Sequence, residues 1–474
     1  MTANYFISKE YFDPNDLYNI ENTTKYKKDL IINKFDSQFY IVKYNKLYKK
    51  QLNSTAKLFR SVVFKHDKCV CFSPPKSLSI DNFRKNHKIR DVKIEEFIDG
   101  TMINLFYDET YNWQICTKST IGGNSNFNLD SNYTYREMFI EAMKKVNLNL
   151  DYLDIRFCYS FIMQHPNNRN VSVCVSPLLY LVAVYQIINS NKGILIEELD
   201  IHNYYKNNED KNTLLNNHTH NHTHNHIHSH AHNHIHSHAH NHIHSHTHNQ
   251  DDINQYYFLN NNTFFNKYQL INQSVVYSDY NYKDRYIDEL LLATNNQLRI
   301  PVIYEKKYYN GFDNYRKIIR KYSATNKSPP FYSHMGLVLK CGNDRTKIIN
   351  PHYDEVKSMK GNDRYVKNTY LRLRKQHQIK KYLRYFPEHI EIFSELNNKI
   401  KEITNQLYAV YLDCFIKKNI KLKNQENKLK NHIYNLHKLY IEKLRPEYKK
   451  IDLFTVINYV NNLELYKLRN LIDY

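Results

Sequence analysis

Lys93-Ile94-Glu95-Glu96-Phe97-Ile98-Asp99-Gly100-Thr101-Met102-Ile103, followed by Trp113-Gln114-Ile115-Cys116-Thr117-Lys118-Ser119, is the stretch on which the reading of this chain turns. Asp99-Gly100 is a turn pair, because Asp bonds to its own backbone and Gly tolerates positive φ. The run Met102 to Tyr107 is then a strand leaving that turn, β-branched and aromatic in character. Lys118 follows one strand later.

Working outward, short alternating or apolar runs recur: Ser61 to Phe64, Cys69 to Phe72, Phe157 to Met163 and Leu178 to Ile187. Each is bounded by turn residues and predicts a strand. Arg136 to Val146 predicts a helix, with Met138, Ala142 and Val146 four apart. Strands and helices mixed in this way predict an α+β domain. From His218 to His248 every second residue is histidine, inside Asn- and Asp-rich flanks that make residues 203–262 a long insertion. The tract is expected to be a tolerated, disordered loop expansion that binds metal only adventitiously.

Beyond residue 376 the texture changes. Phe393, Leu396, Ile400, Ile403, Leu407, Val410 and Cys414 form one helical stripe. Leu422, Leu429, Ile433, Leu436, Tyr440 and Leu444 form a second, ended by Pro446, and Leu453, Val456, Ile457, Val460 and Leu463 a third. The expected organisation is an α+β domain over 1–375 and an all-α domain over 376–474.

A hydrophobic content of 41% with 43 Tyr and 23 Phe argues against global disorder. A formal charge of +20 favours polyanionic partners such as RNA, although an Asn-, Lys-, Ile- and Tyr-rich composition also inflates lysine. The seven cysteines include no CxxC pair, and Cys69 and Cys71 share a strand face as buried free thiols would. No apolar run of about 18 residues occurs. No basic leader opens the chain, so no membrane partner is expected. The expected location is a reducing, intracellular one, or a virion. The sequence has no GxSxG, HExxH, P-loop or GxGxxG, which excludes the commonest hydrolase and nucleotide motifs.

The opening stretch resembles the start of the covalent nucleotidyltransferases, most closely the phage-type RNA ligases, which read Lys-x-Asp-Gly-Ser/Thr and then a strand ending in Ser/Thr-Lys. The resemblance continues in order through much of residues 60–374. Arg60-Ser61-Val62-Val63-Phe64 resembles the upstream Arg-Gly-x-x-Phe strand, and Lys76 falls in the Pro-x-Lys segment. Tyr159-Ser160-Phe161 with Pro166-Asn167-Asn168-Arg169 resembles Phe-Glu-Phe-x-x-Pro-x-Asn-Arg. Met335-Gly336-Leu337-Val338-Leu339-Lys340 resembles Glu-Gly-x-Val-x-Lys, and Lys347-Ile348-Ile349-Asn350-Pro351-His352-Tyr353 resembles Lys-x-Lys-x-Pro-x-Tyr. Of only eight glycines, Gly100, Gly122, Gly123, Gly336, Gly342 and Gly361 lie in or beside these segments.

The resemblance implies a ligase-type nucleotidyltransferase domain with mixed or antiparallel sheets, followed by an all-α domain that helps select RNA. It also implies that Arg60, Lys76, Asp99, Gly100, Lys118, Lys340 and Lys347 surround the nucleotide phosphates. Four positions depart from it. Phe97 stands where the family has its nucleophilic lysine, Ser160 and Met335 replace glutamates, and Ile349 replaces a lysine. A phenyl ring has no lone pair for phosphorus, and loss of a nucleophile costs on the order of a million-fold in comparable hydrolases.

The expectation is therefore an RNA-ligase-like protein without its usual chemistry, binding RNA or nucleotide on the basic residues that remain. No catalytic residue, metal site or cofactor is assigned. An active enzyme using a relocated lysine, Lys118 being the candidate, would need ATP and Mg²⁺ and is the alternative. A structural or assembly protein reusing the fold is the third reading. Phe97, Met335 and Ile349 also fit as simple core filling.

Overall fold

The computed structural model describes residues 3–18, 24–26, 28–35, 38–48, 52–126, 132–202, 280–304 and 331–473. The insertion 203–262, with its histidine tract, lies outside the described residues. Thirteen strands among those described are β1 (Asn4–Ser8), β2 (Leu30–Lys34), β3 (Phe39–Tyr44), β4 (Val62–Lys65), β5 (Lys68–Cys71), β6 (Lys93–Glu96), β7 (Thr101–Asp108), β8 (Asn112–Cys116), β9 (Phe157–Gln164), β10 (Leu178–Ser190), β11 (Gly193–Glu198), β12 (Gly336–Cys341) and β13 (Asp344–Ile349). They make three sheets, in the orders β1-β11-β10-β9-β7-β8, β2-β3-β4-β5 and β13-β12-β6. Neighbouring strands in all three run antiparallel.

Period-two alternation assigns each side chain to a layer. On β9, Phe157, Tyr159, Phe161 and Met163 pack with helices Tyr135–Lys145 and Tyr280–Ala293, while Cys158 turns to the opposite core, against the four-stranded sheet. Both faces of β9 are covered, which is why it reads as a continuous apolar run. The helix expected at 136–146 is Tyr135–Lys145, opened by a capping box between Thr134 and Glu137. Cys69 and Cys71 are buried free thiols.

The tight turn into β7 requires its glycine. Gly100 has φ +150°, and a Cβ there would lie 2.5 Å from the Met163 carbonyl oxygen. Gly336, at φ +142°, faces the Ile348 carbonyl oxygen with only 2.0 Å of room.

The C-terminal part is helical, and the three expected stripes line one core through Phe393, Ile400, Ile403, Leu407, Leu429, Ile433, Leu436, Val456 and Val460. That core begins earlier than the change of texture at 376. Helices Pro351–Lys360 and Val366–Lys375 contribute Tyr353, Val356, Tyr370, Leu371 and Leu373 to it. Both are ten residues long and lie in a lysine- and arginine-rich stretch. The first two stripes end in π-helical turns, Leu412–Ile416 and Tyr440–Leu444. No helix among the described residues is long and apolar enough to cross a membrane.

Candidate anion-binding site

The small sheet β13-β12-β6 divides charge by alternation. Ile94, Leu337 and Leu339 pack on one side with Phe83, Val92 and Tyr304, Ile348 lying against them. Cross-strand partners share a face. The register Val338↔Lys347, Lys340↔Arg345, Val338↔Glu95 and Lys340↔Lys93 therefore puts Lys93, Glu95, Lys340, Arg345 and Lys347 together on the other side. The Phe97 amide donates to the Gly336 carbonyl at 3.0 Å, extending this ladder so that Phe97 joins the same face.

This face has two halves of opposite electrostatic character. At one end the charges compensate. Glu95, 3% exposed, meets Lys340 at 2.9 Å, His202 Nε2 at 3.2 Å and Lys93 at 3.6 Å. Lys93 also reaches Asp200 at 3.2 Å, and Lys340 reaches Glu198 at 3.4 Å. Burial alone would raise the Glu95 pKa, but Lys340, the His202 hydrogen bond and Lys93 outweigh it and hold the carboxyl well below the usual range. A cavity of about 420 Å³ opens here and extends to Arg345.

At the other end the charges do not compensate. Lys347 Nζ stands 4.4 Å above the Phe97 ring centroid. Burial, then Arg345, Arg60, Lys357 and Lys118, push its amine down from 10.5 to about 6. Burial and Arg345 likewise lower the Arg60 guanidinium to about 10. Among the described residues, the half-buried side chains of Arg60, Arg345 and Lys347 have no acidic partner, and Arg345 Nε is buried without a hydrogen bond. Cations gathered without carboxylates are an arrangement that an anion would complete.

The expected site residues thus separate. Arg60, Phe97, Lys118 and Lys347 converge, with the Lys118 ammonium 5.3 Å above the Tyr44 ring. Lys340 lies on the same face but is held by Glu95 and Glu198. Lys76 is half-buried after β5, its amide bonded to the Lys57 carbonyl at 2.9 Å. Asp99 points into a structural clamp: its carboxylate accepts from the Val171 and Ser172 amides at 3.0 and 2.9 Å and from the Tyr353 hydroxyl at 2.6 Å. Ser160 is fully buried and its hydroxyl donates to Asn104 Oδ1 at 2.8 Å. Met335 is partly buried against the helical core. Ile349 is 44% exposed, so it does not fill a core, because it leaves β13 on the open face two residues after Lys347. Arg169 Nη1 donates to both carboxylate oxygens of Glu388, at 2.6 and 2.8 Å, and joins the α+β part to the helical part.

Sequence reasoning missed Arg345 and Lys357. Arg345 carried a signal, since it is two residues before Lys347 on one strand and must share its face. Lys357 is on the following helix, over the Tyr353 ring, and only the fold brings it near.

Comparison with known proteins gives one informative similarity. Over 110 residues, 22% of this chain, the sequence is 33% identical to an RNA ligase of Rhodothermus phage RM378. The matched stretch spans about a quarter of that ligase, 24% of its length. No family model matches the chain. The similarity supports a relationship of RNA-ligase-like kind, and the antiparallel sheets with a helical C-terminal part are compatible with a ligase-like domain.

Proposed function

We propose that this is an RNA-ligase-like protein that holds the phosphates of a nucleotide or RNA on Arg60, Arg345, Lys118 and Lys347, and that the family's own lysine step is lost at Phe97. The observation that carries this reading is the half-buried pair Arg60 and Arg345, with Lys347 beside them, for which there is no acidic partner among the described residues. Their neighbours, Glu95 and Lys340, are fully compensated a few residues away, so the imbalance belongs to one patch rather than to a basic chain in general. On this reading the sheet-bearing part, expected over 1–375, is the ligase-like domain and the helical part its companion, the helices of 351–375 packing on the helical side, with Phe97 at the former nucleophile position. The residues here do not fit a resident Mg²⁺. Asp99 is committed to two amides and a hydroxyl, and Glu95 to an ion network, while among the described residues the open half offers no carboxylate.

Binding of ATP and of a short oligoribonucleotide, measured by filter retention in phosphate-free buffer, tests this. Arg345→Gln should weaken binding roughly tenfold, because a charge-assisted bond contributes about 1.5–3 kcal/mol. Affinity should also fall steeply with salt. No binding at low salt, or full binding by an Arg60→Gln/Arg345→Gln double variant, would overturn it.

A further inference from the structure

Among the cations of this face one is chemically unlike the rest. We infer that the Lys347 amine is a nucleophile, attacking a phosphoanhydride phosphorus of a nucleoside triphosphate held on Arg60 and Arg345 and becoming covalently nucleotidylated. This rests on the phosphate-binding reading above and adds chemistry to it.

Three geometric observations carry it. The amine lies on the face of the Phe97 ring at 4.4 Å and has no hydrogen bond or ion pair among the described residues. The other lysines of the site differ: Lys340 is clasped by Glu95 and Glu198, and Lys118 lies over Tyr44 with further partners. Arg345 is two residues away on the same strand face, about 7 Å between Cα atoms, so a phosphate bound by its guanidinium lies within reach of the amine. The apolar ring beneath the amine takes neither proton nor charge, and it shields that side from water.

The protonation states complete the division of work. At neutral pH Arg60 keeps its charge, whereas the Lys347 amine, at about 6, is largely free and carries the lone pair that attack requires. The step balances without any redox partner. The amine lone pair forms a P–N bond to the α-phosphorus, and the bond from that phosphorus to the bridging oxygen breaks. Pyrophosphate leaves with the electron pair, and the extra amine proton passes to solvent. The product is a phosphoramidate on Lys347 Nζ.

The full-length chain should be incubated with ATP radiolabelled on the α-phosphate, with and without Mg²⁺, resolved by denaturing electrophoresis and mapped by peptide mass spectrometry. The expected result is an acid-labile, alkali-stable label on the peptide containing Lys347, removed by added pyrophosphate and forming faster as pH rises through about 6. Lys347→Arg keeps a cation but is a poor nucleophile, so it should give no label even at ATP concentrations that saturate its binding. Lys347→Met is the second variant should the arginine fail to fold. ATP binding with no label on the unmodified chain, or label that persists in these variants or maps to another lysine, would overturn this inference and leave the binding reading intact. No ATP binding would overturn this inference, and no binding of the oligoribonucleotide either would overturn both.

Discussion

Replacing Lys347 with methionine should make the unliganded protein more stable, and more so toward acid. The substitution keeps an unbranched chain over the Phe97 ring, one heavy atom shorter, and deletes its amine. Above about pH 10.5 the folded and unfolded chains both hold a neutral amine, and the charge term vanishes. Below that pH the unfolded chain takes up a proton that the folded chain refuses, and folding is disfavoured by up to about 1.4 kcal/mol per pH unit. The effect stops growing near pH 6, where the folded amine protonates as well. At about pH 7 the ceiling is about 5 kcal/mol, and because the side chain is only half-buried, solvent screening reduces it to about 2–3 kcal/mol. Urea unfolding in phosphate-free buffers measures this directly. The gap between Lys347→Met and the unmodified chain should widen by about 0.5–1.4 kcal/mol per pH unit from about pH 9 to about pH 7. A less stable variant, or a gap independent of pH, would refute the picture of an uncompensated cluster.

Asp99→Ala leaves the Val171 and Ser172 amides and the Tyr353 hydroxyl without their acceptor, so it should cost about 3 kcal/mol in thermal or urea unfolding. Glu95→Gln strips the counter-charge from Lys340 and Lys93 and should destabilise by about 3–5 kcal/mol near neutral pH. Because the folded Glu95 pKa is depressed, its stabilisation is present above the unfolded-chain value of 4.5 and is lost as pH falls below it. An acid titration of stability should therefore be shallower for Glu95→Gln. Gly336→Ala drives a Cβ into the Ile348 carbonyl oxygen at positive φ, and circular dichroism melts should register a loss of about 2–4 kcal/mol.

Much of the fold was legible in local pattern, and the reason is periodicity. The runs at 61–64, 69–72, 102–107, 157–163 and 178–187 are strands, and the three stripes after residue 390 face one helical core, because two-fold and 3.6-fold spacing are properties of neighbours in sequence. Gly100 was legible for the same local reason. Not every element was legible. The strands Asn4–Ser8, Leu30–Lys34 and Phe39–Tyr44 escaped notice, as did the membership of two ten-residue helices in the helical core.

The site divides along the same line. That Arg345 and Lys347 share a face follows from their spacing on one strand. That Lys340, in the adjoining strand, is neutralised while Lys347 meets no carboxylate among the described residues does not. It depends on β6 pairing with β12 across about 240 residues of chain, which brings Glu95 to Lys340 and Phe97 to Lys347. Alternation determines which face a charge takes. Whether that charge finds a carboxylate or an aromatic ring depends on strands far apart in sequence, because Coulomb energy depends on distance in space.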